Sequence, residues 1–348
     1  MSSPTGSRRR RIGYSMWGFL GNGVLDTPDG SRAYRRSFID RLRAGGHEIV
    51  VLQRNRDRLE AADGFGTAYR WDMGLPALDA IIFEWRWALP GRNTTPCGSP
   101  GHTCDLHRQT ELLDWYTRRR RTPTLIWDLD RQMPADDPLR ALANVVVGEF
   151  GVLTTPGARR LVCPVPDELL HAADAKNLAK RVRELSLVYV GNQYDRDEHF
   201  GRFFAPAAQY VSHVVAGKWP RTQAWPHVTF TGRIAYREVE RVHGRALATV
   251  LLLPERYWQV GHMTSRWWEA LVAGCLPLVP AEVHGADAYL PRELHVADGC
   301  QVVDRLTWLR SITGTREHVD LLAACLARLE PFRCSTVART ALRLLEDL

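Results

Sequence analysis

The chain has 348 residues, 45% of them apolar and 24% charged, a balance that excludes a disordered or fibrous class and fits a soluble globular protein. That length exceeds one ordinary core and fits two domains of roughly 150–170 residues each. No apolar run approaches the roughly 20 residues needed to cross a bilayer, so no membrane span is expected; 46 basic against 39 acidic residues leave a net charge of +7, which suits an anionic partner without singling out nucleic acid.

The opening segment carries Arg8, Arg9, Arg10 and Arg11 but no apolar stretch that would make it a secretory signal. Residues 11–17 read as a first strand that runs into the glycine-rich turn GFLGNG, with Trp17, Gly18, Gly21 and Gly23. Glycine there permits positive φ and close approach to a ligand, although a tight strand-to-helix turn has the same appearance. A helix is expected over 32–44, where Tyr34, Phe38 and Leu42 recur at helical spacing and Gly45-Gly46 ends the run. Strands follow over 47–53, 78–83, 124–127, 144–147 and 160–163, with a helix over 105–119. This alternation implies a parallel sheet with right-handed crossovers. Ligands bind beyond the carboxyl ends of such strands, which selects the turn after Trp17, the segment 84–87 and the segment 128–131 as one rim.

Residues 166–184, polar and helical, read as a linker, and a second set of strands begins at 185. Strands are expected over 185–190, 211–216, 228–231, 248–253 and 276–281, with a short one at Val302-Val303. Helices over 307–312, 318–329 and 335–345 finish the chain. Seven cysteines, odd in number and without framework spacing, point to reduced thiols and a cytoplasmic setting.

The stretch that organises the second half is MTSRWWEALVAGCLPLVP, residues 263–280. Thr264 and Ser265 are placed to cap a helix, and a helix N-terminus is an anion site. Arg266 adds a guanidinium suited to a diphosphate. Glu269 lies one turn on, placed to accept hydrogen bonds from ribose hydroxyls, and Gly274 ends the helix before a buried strand. An ordinary helix–glycine–strand unit would have the same spacing.

This block resembles the donor-binding segment of GT-B glycosyltransferases, and the opening strand, glycine loop and GGHEIVVL segment also look like the start of such enzymes. The resemblance implies an α/β fold of two Rossmann-like, doubly wound domains facing a central cleft. It implies an acceptor-binding domain over 1–165 joined by a C-terminal helix 335–348, a linker over 166–184 and a donor-binding domain over 185–334. By the same resemblance Thr264, Ser265 and Arg266 hold the diphosphate of a nucleotide-sugar donor, Glu269 its ribose, and Gly191 lets backbone approach the phosphates. Many retaining members carry a second Glu eight residues before the ribose-binding one; here that position is Gly261. The implied activity is transfer of a sugar from a nucleoside-diphosphate sugar to a hydroxyl, with the donor as co-substrate, no cofactor and no metal.

Electrostatics aimed at the departing phosphate is usually the largest catalytic contribution. Lys218 and Arg233 follow strand–glycine junctions and join Arg266 as candidate cations, with Arg196 as a weaker one; solvated surface cations are the alternative. An inverting enzyme needs a general base. Asp130, Glu84 and Asp29 are the main candidates, with Asp128, Asp26 and His262 beside them, although strand-end carboxylates also cap helices or pair with arginines.

Cys97, His102, Cys104 and His107 form a set that would suit tetrahedral Zn2+, but the spacing matches no common zinc module, so incidental thiols in a mobile loop are expected instead. The expected acceptor is a small molecule, natural product or glycan. Arg118, Arg119, Arg120 and Arg121 keep nucleic acid as an alternative partner, with hydroxymethylated DNA as acceptor, as in phage enzymes of this fold. A sugar-nucleotide epimerase and a non-catalytic sugar-nucleotide-binding module are the remaining alternatives.

Overall fold

A computed structural model describes residues 9–24, 29–53, 64–90, 93–100 and 104–348. Three of the residues singled out above, Arg8, Asp26 and His102, lie outside them. The chain divides into two compact units: residues 1–150, 154–162 and 334–348 form the first, and 151–153 with 163–333 the second.

The first unit is built on a seven-stranded parallel sheet. Its strands are β1 (Arg11–Ser15), β2 (Glu48–Val51), β3 (Arg70–Trp71), β4 (Ala80–Glu84), β5 (Thr124–Asp128), β6 (Val145–Glu149) and β7 (Arg159–Arg160). Their order across the sheet is β3-β2-β1-β4-β5-β6-β7. The strands are buried on both faces because helices cover both, so they read as continuous apolar runs. Ile126 points into one core with Ile81, Phe83, Leu112 and Tyr116. Its neighbour Trp127 points into the other, 4.8 Å from the Phe38 ring. The helix Cys334–Glu346 belongs to this unit, packed on the helix Arg35–Ala44 and on β5.

The second unit carries a six-stranded parallel sheet: β8 (Leu185–Val190), β9 (His213–Ala216), β10 (Phe230–Gly232), β11 (Ala246–Val250), β12 (Leu276–Pro280) and β13 (His295–Val296). The order is β10-β9-β8-β11-β12-β13. Phe200, Phe204, Trp219 and Trp225 stack into an aromatic cluster in this unit, while Trp267 packs edge-on against Tyr289 and Phe332. The stretch expected as a linker forms two short helices, Asp167–Ala172 and Ala175–Ala179, and the latter packs on the helix Arg316–Ala327.

Several local expectations need correction. Val302 and Val303 lie inside the helix Gly299–Ile312, not in a strand, because the Asp298 carboxylate accepts the Gln301 N–H and starts the helix early. The helix expected over 32–44 is a 3-10 turn, Gly30–Ala33, followed by Arg35–Ala44, with the break at Tyr34. The helix from Asp105 changes to π-helical geometry over Leu113–Arg119. Among the described residues no helix is long and apolar enough to cross a membrane.

Candidate functional site

In both sheets the strand order reverses between two central neighbours, β1 and β4 in the first unit and β8 and β11 in the second. Crevices at such points are where open α/β sheets take ligands. The second unit's crevice is lined by cations. Arg266 reaches back across the end of β8 and donates through Nε to the Val190 carbonyl at 2.9 Å. Its Nη1 lies 3.4 Å from the Thr264 hydroxyl. Gly191 is what lets this arm through: a Cβ there would sit 2.7 Å from Arg266 Nε and 2.8 Å from the Tyr189 hydroxyl. That hydroxyl is buried and has no hydrogen-bond partner among the described residues. Gly217 backs onto the same turn with φ of +144°, and a Cβ there would lie 2.0 Å from the Gly191 carbonyl oxygen.

Arg196 enters the crevice from the other side. Its Nε donates to the Leu252 carbonyl just past β11 at 3.1 Å, and its Nη1 donates to the carbonyls of Asn192 and Tyr194 at 3.1 and 2.7 Å. Neither Arg196 nor Arg266 stands within ion-pairing distance of a carboxylate among the described residues. Burial, with the neighbouring Arg266 and Arg256 charges adding to it, pulls the Arg196 guanidinium below its ordinary pKa. Arg196 carried little weight in the sequence, since it lies in a polar run; its bonds to the Leu252, Asn192 and Tyr194 carbonyls aim it.

Glu269 is half-buried in the first turn of the helix Arg266–Val272. Its carboxylate accepts from Tyr236 OH and from Ser265 Oγ, each at 3.0 Å. Burial pushes its pKa up, and Ser265, Arg266 and Tyr236 work against that shift. Ser265 is thus no side-chain cap: it already has helical dihedrals, and its hydroxyl turns toward the residue four positions on. Thr264, Ser265, Arg266, Glu269 and Gly191 are brought together. Lys218 joins them through its backbone N–H, which donates to Asn192 Oδ1 at 2.8 Å, while its side chain is exposed. Arg233 is exposed just after β10.

Gly261 has φ of +63°, and a Cβ there would lie 2.2 Å from the His284 carbonyl oxygen. No larger side chain fits without moving backbone. His262, one of the candidate bases, is buried and stacked on Tyr257 with ring centroids 3.9 Å apart.

The first unit's crevice is filled by its own residues. Arg35 is buried and grips two carboxylates. It donates Nε and Nη2 to the Glu84 oxygens at 2.7 and 2.8 Å, and both terminal nitrogens to Asp29. Tyr14 OH adds a donor to Glu84 at 2.9 Å, and the Phe19 N–H adds one to Asp29 at 2.7 Å. Burial alone would raise the Asp29 pKa, but Arg35 and the Phe19 N–H outweigh it and pull it below the ordinary carboxylate range. Glu84 and Asp29, expected as bases, are committed to this network, which argues against a proton-accepting role for either. Gly18 serves the same network: a Cβ there would lie 2.0 Å from Asp29 Oδ2. Trp17, Gly21 and Gly23 belong to the loop wrapped around it, closed by Arg32, which donates to the Val24 carbonyl at 2.8 Å.

Two further carboxylates stand at the end of β5. Asp128 is buried and accepts from the Gln132 and Met133 N–H groups at 2.9 and 2.8 Å. Burial raises its pKa to about 6, with those N–H groups opposing and Asp130 and Glu149 adding to the rise. Asp130 is half-exposed on the same turn. The turn closes at Arg131, which holds φ of +51° and donates to Glu149 at 2.9 Å.

No family model matches the chain, and no curated protein matches it by sequence. Solved structures do match along nearly its whole length. T4 phage BGT in complex with UDP and Mn2+ superposes with a TM-score of 0.66 at 12% identity, over 97% of this chain and 99% of that one. A DNA modifying β-glucosyltransferase, crystallised with and without uridine diphosphoglucose, gives 0.65 at 12% over 97% and 99%. AviGT4, a glycosyltransferase involved in avilamycin A biosynthesis, gives 0.53 at 14% over 97% and 98%. The chain has the GT-B fold. At these identities the likeness establishes architecture, and the activity rests on the residues.

Proposed function

We propose that the chain is a glycosyltransferase that moves a sugar from a nucleoside-diphosphate sugar to a hydroxyl with inversion at the anomeric carbon. The observation that carries this reading is the pair Arg196 and Arg266: two guanidiniums at the β8/β11 crevice, neither of them in an ion pair with a carboxylate among the described residues. A diphosphate supplies the missing negative charge, and charge-assisted bonds to guanidinium are the strong kind. Arg266, with Thr264 and Ser265 at the helix start and the backbone at Gly191, holds the phosphates. Lys218 and Arg233 are the outer cations. Glu269, already oriented by Tyr236 and Ser265, takes the ribose hydroxyls with its remaining lone pairs.

In the transfer the acceptor oxygen bonds to the anomeric carbon as the bond from that carbon to the phosphate oxygen breaks. The nucleoside diphosphate leaves with the bonding pair, where Arg196 and Arg266 stabilise it. The acceptor proton passes to a carboxylate, for which we propose Asp130, the accessible acid at the β5 rim. Gly261 supports inversion, because the strained glycine leaves no room for the glutamate of the retaining pattern.

The test is calorimetric titration with UDP, GDP and TDP, followed by mass spectrometry of acceptors incubated with the corresponding sugar donors. Asp130→Asn is expected to keep donor affinity while transfer falls by about 10²–10⁴-fold, the usual contribution of a general base. Full transfer in that variant moves the role to Asp128; binding of no nucleoside diphosphate removes the reading altogether.

Modest net charge favours a small molecule or glycan as acceptor. Duplex DNA is the second reading. It is favoured by exposed Arg119 and Arg120, held over the Trp115 ring at 5.0 and 6.0 Å, and by the likeness to a DNA modifying enzyme. Sugar transfer to hydroxymethylated duplex, with binding that weakens steeply as salt rises, selects the DNA reading.

A further inference from the structure

The loop that leaves β4 returns to the helix Asp105–Leu112 through three side chains of metal-binding type. Cys97 Sγ lies 3.3 Å from His107 Nδ1, and Cys104 Sγ lies 3.6 Å from the same nitrogen. All three donor atoms fall within 4.8 Å of one another. Around a tetrahedral zinc ion, with Zn–S of about 2.3 Å and Zn–N of about 2.0–2.1 Å, neighbouring sulfur and nitrogen ligands stand about 3.6 Å apart. The two sulfur–nitrogen edges are already close to that length.

The backbone is shaped to bring these atoms together. Cys97 sits in the turn Pro96-Cys97-Gly98-Ser99, closed by the Ser99 N–H on the Pro96 carbonyl at 3.1 Å, with Gly98 at φ of +82°. Cys104, which caps the helix, holds φ of +62°, a left-handed conformation seldom adopted outside glycine. The three-residue step from Cys104 to His107 places both on one face of the first turn. Nearby, Gln109 ties the helix to the loop by accepting the Arg86 N–H and donating to the Arg86 carbonyl, both at 2.8 Å.

We propose that Cys97, Cys104 and His107 bind Zn2+, against the expectation of incidental thiols drawn from the spacing. Two thiolates and an imidazole are the soft and borderline donors that select zinc over magnesium or calcium. Binding converts both thiols to thiolates, so two protons leave as the two Zn–S bonds form, and the Nδ1 lone pair makes the third bond. The fourth position takes a water or a further donor. The site is structural: it pins the loop after β4 to the helix that follows, and it takes no part in the transfer chemistry.

The test uses the full-length chain without a histidine tag, purified with zinc present and then gel-filtered. Elemental analysis is expected to find about one zinc per chain, as a single three-ligand site requires. The Cys97→Ser/Cys104→Ser double variant and His107→Ala are each expected to lose it. Cobalt(II) replacing zinc should give thiolate charge-transfer absorption and the intense visible bands of a tetrahedral centre, absent from both variants. Because a variant can fail for want of folding, wild-type protein stripped with chelator supplies the second measurement. Trypsin should then cut between residues 85 and 108 faster than in the zinc-loaded form, and added zinc should restore the slower rate. Zinc retained by the variants, or no zinc with freely titrating thiols, overturns the proposal. So does a Cys97–Cys104 disulfide in the freshly purified protein.

Discussion

The two crevices, β1/β4 and β8/β11, share a topology and differ in charge. In the first, Arg35 meets Asp29 and Glu84 inside the fold, with Tyr14 and the Phe19 N–H completing the set. In the second, the hydrogen bonds of Arg196 and Arg266 among the described residues go to backbone carbonyls and one hydroxyl. One crevice has paired its cation with two carboxylates and become core; the other keeps two cations outside any ion pair among the described residues. Breaking a buried ion pair leaves an uncompensated charge. An arginine outside any ion pair, by contrast, is open to an anion from outside, and the proposed donor site rests on that difference.

The largest effect should come from the neutralised side. Arg35→Met strands Asp29 and Glu84 as buried carboxylates and should cost about 3–5 kcal/mol of stability, read as a fall in the denaturant midpoint at unchanged slope. A cost below 1 kcal/mol would dissolve the contrast. On the charged side, Arg266→Ala should weaken nucleoside-diphosphate binding by about 1.5–3 kcal/mol, measured by calorimetry, with little change in melting temperature. If affinity holds while the protein melts early, Arg266 is as structural as Arg35.

The smallest effect is a pH dependence within the first unit. The Asp128 pKa is raised to about 6, so its neutral form favours the folded state; that contribution is complete below the ordinary carboxylate range and is lost as pH rises through about 6. Asp29 has the opposite sign, since its lowered pKa gives stability above the ordinary range that is lost as pH falls through the folded value. Asp128→Asn should therefore flatten the decline in stability between about pH 4 and 7 and leave the acid limb in place. An unchanged profile over that window would show that Asp128 does not titrate as its burial implies.

The proposed donor motif was legible in part because Arg266 and Glu269 lie one helical turn apart with Ser265 and Thr264 beside them, whereas their contacts to Val190, Gly191 and Tyr236 come from distant sequence. Arg35, Asp29 and Glu84 were not, because a helix arginine, a turn-capping aspartate and a strand-end glutamate look like solvated or catalytic groups until the fold brings Glu84, 49 positions on in the chain, onto Arg35. Gly18 read as a ligand-binding glycine for the same reason; the atom that approaches it belongs to Asp29. The parallel sheets followed from strand alternation, whereas β3, with two residues, offered no apolar run to find. Convergence of Cys97, Cys104 and His107 depended on the positive φ at Cys104, which sequence spacing does not encode.

The helix Cys334–Glu346 completes the first unit, burying Val337, Ala338, Ala341 and Leu345 and receiving an Arg10 bond at the Leu345 carbonyl. A ribosome delivers residues in order, so residues 163–333 have all emerged before this helix does. The first unit, begun earliest, is therefore the last to close, and until then the surface of the helix Arg35–Ala44 that this helix covers stays open to solvent. Co-translational order here runs opposite to the usual amino-terminal lead. A stalled or shortened product would carry a finished second unit beside an unfinished first one.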